Sequence, residues 1–88
     1  MKAKRVSKHI VGLMADRASL QMDFGLRKEA LYSAEMALDQ NRRRKVDREI
    51  PFNPLGTPER VNLLRREVQR IDRKLKRNRA KFERSLGE

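Results

Sequence analysis

The stretch Ile50–Pro58, with the sequence IPFNPLGTP, divides the chain into two helical halves. Its prolines cannot continue a helix, because proline lacks the backbone donor and pushes the preceding residue toward extended geometry. At its end, Thr57 offers an N-cap hydroxyl and Pro58 suits the first position of a helix. The sequence therefore predicts a loop over 46–57 and a second helix over 58–86.

The second helix carries a heptad pattern. Apolar residues and one asparagine recur at alternating steps of three and four, the spacing of a coiled-coil seam, at Val61, Leu64, Val68, Ile71, Leu75, Asn78, Phe82 and Ser85. Asn78 either fixes the register between packed helices or marks the point where packing frays toward the C-terminus.

The segment before the loop, 7–45, also has helical periodicity, with Ser7 as its predicted N-cap. Apolar residues recur on one face at Ile10, Leu13, Leu20, Phe24, Leu31, Ala34 and Leu38. Further apolar residues, among them Met14, Leu26 and Met36, widen this face. The width indicates either a helix buried in its own small fold or one packed on two sides, as in a bundle of two hairpins.

These patterns predict an all-α fold in a single domain spanning 1–88. Two long helices joined by a short loop fold back as an antiparallel hairpin, and residues 1–6 are expected to form a flexible basic arm. A chain this short has a marginal core, so we expect the hairpins to associate into a dimeric bundle. A three-helix version is the alternative if the first helix breaks between Ala15 and Ser19.

The composition limits the classes of function. The formal net charge is +11, which attracts polyanions. By region it is +2 over 1–40, +3 over 41–57 and +6 over 58–88. The chain has no cysteine, and the uncharged stretch Ile10–Ala15 is too short for a secretory core or a membrane span. We therefore expect a cytoplasmic protein without a membrane partner.

One face of the second helix is lined by arginine. The positions opposite the seam include what we call the arginine stripe: Arg66, Arg70, Arg73, Arg77 and Arg84. Like charges one turn apart weaken a helix by about 0.2–0.5 kcal/mol per pair. Because the planar guanidinium matches phosphate oxygens two at a time, the stripe indicates phosphate binding. Alternatively, arginine is simply a good helix former whose codons a GC-rich genome favours.

Two further basic clusters flank the first helix. The turn cluster, Arg42, Arg43, Arg44 and Lys45, exceeds what the helix dipole needs at a C-terminus, so it is a second candidate for phosphate contacts. Lys2, Lys4, Arg5 and Lys8 form a third patch near the N-terminus.

Nothing in the sequence indicates catalysis, a metal or a cofactor. His9 is the only histidine and has no carboxylate one helical turn away. The carboxylates have basic helical neighbours and are expected to form surface pairs, as in Asp23/Arg27, Glu67/Arg70 and Asp72/Lys76.

We therefore expect a small, basic nucleic-acid-binding protein that contacts the phosphates of RNA or DNA and forms a homodimer. Sequence-specific readout is not expected, since Tyr32 is the only exposed aromatic candidate for base stacking. The alternative is a helical adaptor, assembly or regulatory protein, such as one encoded by a phage or plasmid, that acts through a protein partner.

Overall fold

A computed structural model describes the backbone of residues 2–87 and the side chains of residues 8–87. It contains two α-helices, α1 (Lys2–Arg44) and α2 (Pro58–Gly87), joined by the segment 45–57, and no strand within 2–87. The helices run antiparallel and pack side by side in a rod with extents of 70 × 14 × 13 Å. The prediction of an all-helical chain with two helices is confirmed.

The helix α1 is longer and less interrupted than the sequence indicated. It begins at Lys2 instead of Ser7, so the backbone of 2–6, predicted as a flexible arm, continues the helix. The alternative with a break between Ala15 and Ser19 is wrong, because α1 runs through both residues. Leu13 is buried and Leu20 half-buried on the face toward α2, and a break between them would sacrifice that packing.

The seam of α2 faces α1 along its whole length. Every residue of the predicted heptad row is buried or half-buried, and the stripe on the other side is exposed. Burying a side chain such as that of Leu64 contributes about 1.5–3 kcal/mol. Because α2 offers few other apolar residues, this seam supplies most of the energy that holds the hairpin together.

The tightest packing lies near the loop. Ala34, Val61 and Leu64 form the buried cluster, and the half-buried residues packed against it are Ala30, Leu31 and Leu38. Ala34 and Ala37 on α1 are 1% and 4% exposed, and Val61 on α2 is 2% exposed. The two helices are therefore most firmly joined next to the turn.

Side chains from the end of α1 hold the loop in place. The Asn41 Nδ2 donates to the carbonyl oxygens of Asn53 and Gly56 at 2.8 and 2.9 Å, and the Asn41 Oδ1 accepts from the Asn53 backbone N–H at 2.8 Å. The Gln40 Nε2 donates to the Pro51 carbonyl at 2.6 Å. These bonds satisfy backbone groups of the loop that lie outside either helix, and they make the loop a fixed part of the fold.

Gly56 is buried and lies directly on the backbone of α1. A Cβ at this position would overlap with backbone atoms of Ala37 and Leu38. Only glycine fits where residue 56 meets α1, and the absence of a side chain lets the loop lie directly on the α1 backbone.

The helix α2 begins as predicted, because the Thr57 Oγ1 accepts from the backbone N–H of Arg60 at 3.2 Å.

Polar contacts fix the alignment of the two helices. The Asn78 Nδ2 donates to the Leu13 carbonyl oxygen at 3.0 Å, and Asn78 is 7% exposed. Since Phe82 and Ser85 beyond it remain half-buried, packing does not fray at this point. The hydrogen bond from Asn78 to Leu13 therefore fixes the register between the two helices.

Candidate nucleic-acid interface

The arginine stripe lies on the outer side of α2, away from α1. All of its arginines are exposed. From Arg66 to Arg84 it extends roughly 27 Å at ~1.5 Å rise per residue. Within residues 8–87, no carboxylate lies within salt-bridge distance of a stripe arginine. The stripe therefore presents a row of guanidinium groups to the solvent, interrupted at Ala80 between Arg77 and Arg84.

The acidic residues of α2 neutralise the flanks of the helix instead. Asp72 pairs with Lys76 at 3.1 Å, which confirms that predicted pair, and Glu83 pairs with Arg79 at 3.2 Å. Both pairs join residues one helical turn apart on positions beside the stripe. The positive charge that remains is concentrated on the stripe.

Two predicted pairs are wrong, because a neighbouring helix offers a better partner. Glu67 lies 3.3 Å from Arg27 of α1, so neither Glu67/Arg70 nor Asp23/Arg27 forms. The residues Glu67 and Arg27 both border the seam, where the side chains of the two helices meet. In the same way, Glu35 of α1 lies 3.3 Å from Arg65 of α2, so the Arg65 guanidinium is held on the side of α2 that faces α1.

The turn cluster is exposed, but its members point in different directions. Arg43 pairs with Asp39 at 3.1 Å. Arg42 lines a groove between the two helices that Arg65 of α2 also lines. The guanidinium carbon of Arg44 lies 5.9 Å from the centre of the Phe52 ring. The cluster is thus split between α1, the groove between the helices and the loop.

Phe52 is an exposed aromatic that the sequence reasoning missed. Its side chain is 57% exposed, although the residues on both sides, Pro51 and Asn53, are held by Gln40 and Asn41. The fixed loop therefore holds the ring in the solvent. The signal in the sequence was a phenylalanine between two prolines, a context in which a loop rather than a core position is expected.

Cationic side chains surround this ring. An open pocket of about 500 Å³ at the loop is lined by Phe52 together with Asn41, Arg44, Lys45 and Arg48. Aromatic rings stack on nucleobases, and cations beside them bind the phosphates. The pocket combines both features, and Arg48 is a member that the sequence analysis did not single out.

A second groove widens the stripe toward α1. It has a volume of about 350 Å³ and is lined from α2 by Lys74, Arg77, Asn78 and Lys81. Asp16 of α1 lies on its other wall. The stripe arginine Arg77 therefore has two lysine neighbours on the side that faces the interhelical groove.

The third basic patch is described only in part. Lys8 is exposed on α1. The side chains of Lys2, Lys4 and Arg5 lie outside the described residues, so this candidate contact stays a prediction.

The side chains of residues 8–87 include no group of three or more histidine, cysteine or acidic residues placed to hold a metal ion. Neither α1 nor α2, over the residues described, contains an apolar stretch of the length needed to cross a membrane.

No family model, curated protein or solved structure matches the chain.

Proposed function

We propose that the protein is a small, non-enzymatic hairpin that binds RNA or DNA through the phosphate backbone. The observation that carries the proposal is the exposed arginine stripe, which has no carboxylate partner among residues 8–87. An unpaired row of like charges weakens a helix. A polyanion turns that repulsion into attraction, since each bound phosphate neutralises a guanidinium and releases condensed counterions.

The loop pocket extends the proposal to nucleic acids with unpaired bases. A base stacked on Phe52 would place its phosphates beside Arg44, Lys45 and Arg48, which line the same pocket. A duplex keeps its bases inside the stack and offers the stripe only its phosphates. We therefore propose that single-stranded or looped segments contact both the loop and the stripe.

The test is a binding series by fluorescence anisotropy with duplex DNA, single-stranded RNA and a structured RNA at low salt. Arg70→Gln with Arg77→Gln removes two charges from the stripe. The matched control is Lys76→Gln with Arg79→Gln, which removes two charges from the flanks of the same helix. We expect the stripe variant to weaken binding by at least tenfold and the control to change it by less than threefold.

Equal losses of affinity in the two variants would mean that binding depends on net charge alone and that the stripe is not the binding surface. Absence of binding by the unaltered protein to all three nucleic acids would end the proposal.

A helical adaptor, assembly or regulatory protein is the second candidate. The observation in its favour is the exposed apolar surface of α1, where Val11 and Met22 are 60% and 71% exposed. Purification with and without nuclease separates the two. Nucleic acid that co-purifies with the chain and is removed by salt favours the first proposal, and a clean chain that retains one defined protein favours the second.

We further propose that the hairpin works in the cytoplasm as a homodimeric helical bundle. The coiled-coil seam of α2 packs on α1 within one hairpin, and the single narrow core that results is small for an independent domain. A second hairpin would add to that core.

A further inference from the structure

The helix α1 carries a second heptad row on the face away from α2. We call it the outer row. Its members recur at alternating steps of four and three, and all of them are exposed: Val11, Ala15, Ala18, Met22, Gly25, Glu29, Tyr32 and Met36. This spacing keeps a straight strip of side chains facing one direction over seven helical turns, as a packed helix requires.

Packing within the hairpin does not account for this row. Met22, Tyr32 and Met36 are 71%, 65% and 50% exposed. Gly25 weakens the interior of a helix, yet a Cβ at this position would meet no atom within 4 Å. A second helix packed on this face would bury the large apolar side chains and fill the open space beside Gly25.

The order of large and small residues points to the identity of that second helix. When the outer rows of two copies are aligned antiparallel about an axis between Met22 and Gly25, each Met22 meets the Gly25 of the other copy. The next layer brings Ala18 opposite Glu29, and the two layers beyond it bring Ala15 opposite Tyr32 and Val11 opposite Met36. Each large side chain of these layers faces a smaller one, and the arrangement is self-complementary, as a two-fold interface must be.

A parallel alignment lacks this complementarity. It places Tyr32 on Tyr32 and leaves a gap where Gly25 meets Gly25. It also brings the two Glu29 carboxylates together in the middle of the interface, where like charges repel.

The charges agree with the antiparallel alignment. From Val11 to Met36 the outer row carries a single charge, in a chain whose net charge is +11. Two copies can therefore approach along this face with less repulsion than along α2. One step beyond each end of the row, the alignment brings exposed Lys8 opposite half-buried Asp39, whose carboxylate also pairs with Arg43 of its own helix.

The size of the face limits the area that the contact can bury. From Val11 to Met36 it spans roughly 38 Å at ~1.5 Å rise per residue and about 10 Å in width. Both copies together would bury on the order of 1,000 Å², at the lower end for specific interfaces.

We propose that α1 packs along its outer row against α1 of a second copy, antiparallel, as a weak dimer. This interface does not depend on nucleic-acid binding. It adds to the proposed function by placing the two arginine stripes on opposite edges of a four-helix layer, so that one dimer could hold two nucleic-acid segments.

Disulfide trapping tests the interface and its direction, because the chain has no cysteine of its own. Val11→Cys and Met36→Cys chains are oxidised separately and as a mixture. In the antiparallel dimer two Val11 positions lie roughly 38 Å apart at ~1.5 Å per residue, so we expect a cross-linked dimer only in the mixture. Cross-linking of Val11→Cys with itself and not in the mixture would overturn the antiparallel arrangement.

Sedimentation equilibrium tests the face itself. We expect Met22→Lys to raise the dimer dissociation constant at least tenfold with unchanged helix content by circular dichroism. Leu63→Lys, a matched change at an exposed leucine of α2, should leave it unchanged. A wild-type chain that stays monomeric up to millimolar concentration, or a dimer that responds only to Leu63→Lys, would overturn the proposal.

Discussion

The carboxylate of Glu67 lies 3.3 Å from Arg27 on the neighbouring helix, and it leaves Arg70, one turn away on its own helix, without this partner. The Glu67 Oε2 is buried and accepts no aligned hydrogen bond, so the contact is a pairing of charges. Such pairs at partly exposed sites contribute at most about 1 kcal/mol. The larger consequence concerns Arg70, whose guanidinium stays available to an external phosphate.

The salt dependence of binding should report the number of phosphates that the stripe neutralises. If each stripe arginine neutralises one phosphate of a duplex, the plot of log K against log salt should have a slope of about −4.5 from the stripe alone. Arg70→Gln with Arg77→Gln should reduce the magnitude of the slope by about 2. The slope is measured by binding titrations between 50 and 200 mM salt, a range over which such slopes are evident. An unchanged slope in this variant would place its arginines away from the phosphates.

Phe52 should matter for single strands and not for duplexes. Stacking of one base on an aromatic side chain contributes about 1–3 kcal/mol, so Phe52→Ala should weaken single-stranded RNA binding by about 5- to 150-fold and leave duplex binding within twofold. Leu55→Ala, at another exposed apolar residue of the loop, is the control. Equal losses for duplex and single strand would show that the loop contributes shape or charge rather than stacking.

Gly56→Ala should destabilise the hairpin. The added methyl group overlaps with the backbone of Ala37 and Leu38, so the loop must shift and strain its bonds to Asn41. We expect a loss of about 1–3 kcal/mol, measured by thermal unfolding. Gly12→Ala serves as the control and should stabilise the chain by up to about 1 kcal/mol, because its Cβ meets nothing. The explanation fails if Gly56→Ala unfolds at or above the wild-type temperature.

Asn78→Leu should stabilise the hairpin while relaxing its register. The Asn78 Oδ1 is buried without a hydrogen-bond partner, and an unsatisfied buried acceptor costs about 1–3 kcal/mol. A leucine removes that cost and loses the bond to Leu13, so we expect a net gain of about 1 kcal/mol and a rise in Tm of about 4–8 °C. Leu75→Asn makes the reverse change on the same seam and should lower Tm. A lower Tm for Asn78→Leu would mean that the bond to Leu13 contributes more than the orphaned acceptor costs.

Much of the helical architecture follows from local signals. The prolines around Phe52 determine where one helix ends, Thr57 determines where the next begins, and the heptad row of α2 determines which side is buried. The start of α1 at Lys2 was not predicted. Serine is a favourable N-cap residue but also occurs inside helices, and the sequence around Ser7 does not distinguish the two.

The candidate site was predictable only as far as it depends on one helix. The exposure of the stripe follows from its position opposite the seam. The partners of Glu67 and Arg27 do not, because a residue bordering the seam can pair along its own helix or across to the other, and only the relative placement of the helices decides. The exposure of Phe52 likewise depends on Gln40 and Asn41, whose bonds to the loop have no sequence signature.

The location of the buried cluster has a consequence for how the rod opens. Ala34, Val61 and Leu64 lie near the loop, whereas the far end has an open groove between Leu13 and Lys81. Each layer of a two-helix rod contacts only the layers next to it. We therefore expect the hairpin to fold from the loop outward and to unfold from the chain termini inward. Amide hydrogens around Val61 should then exchange most slowly, and those of the last turns of α2 fastest.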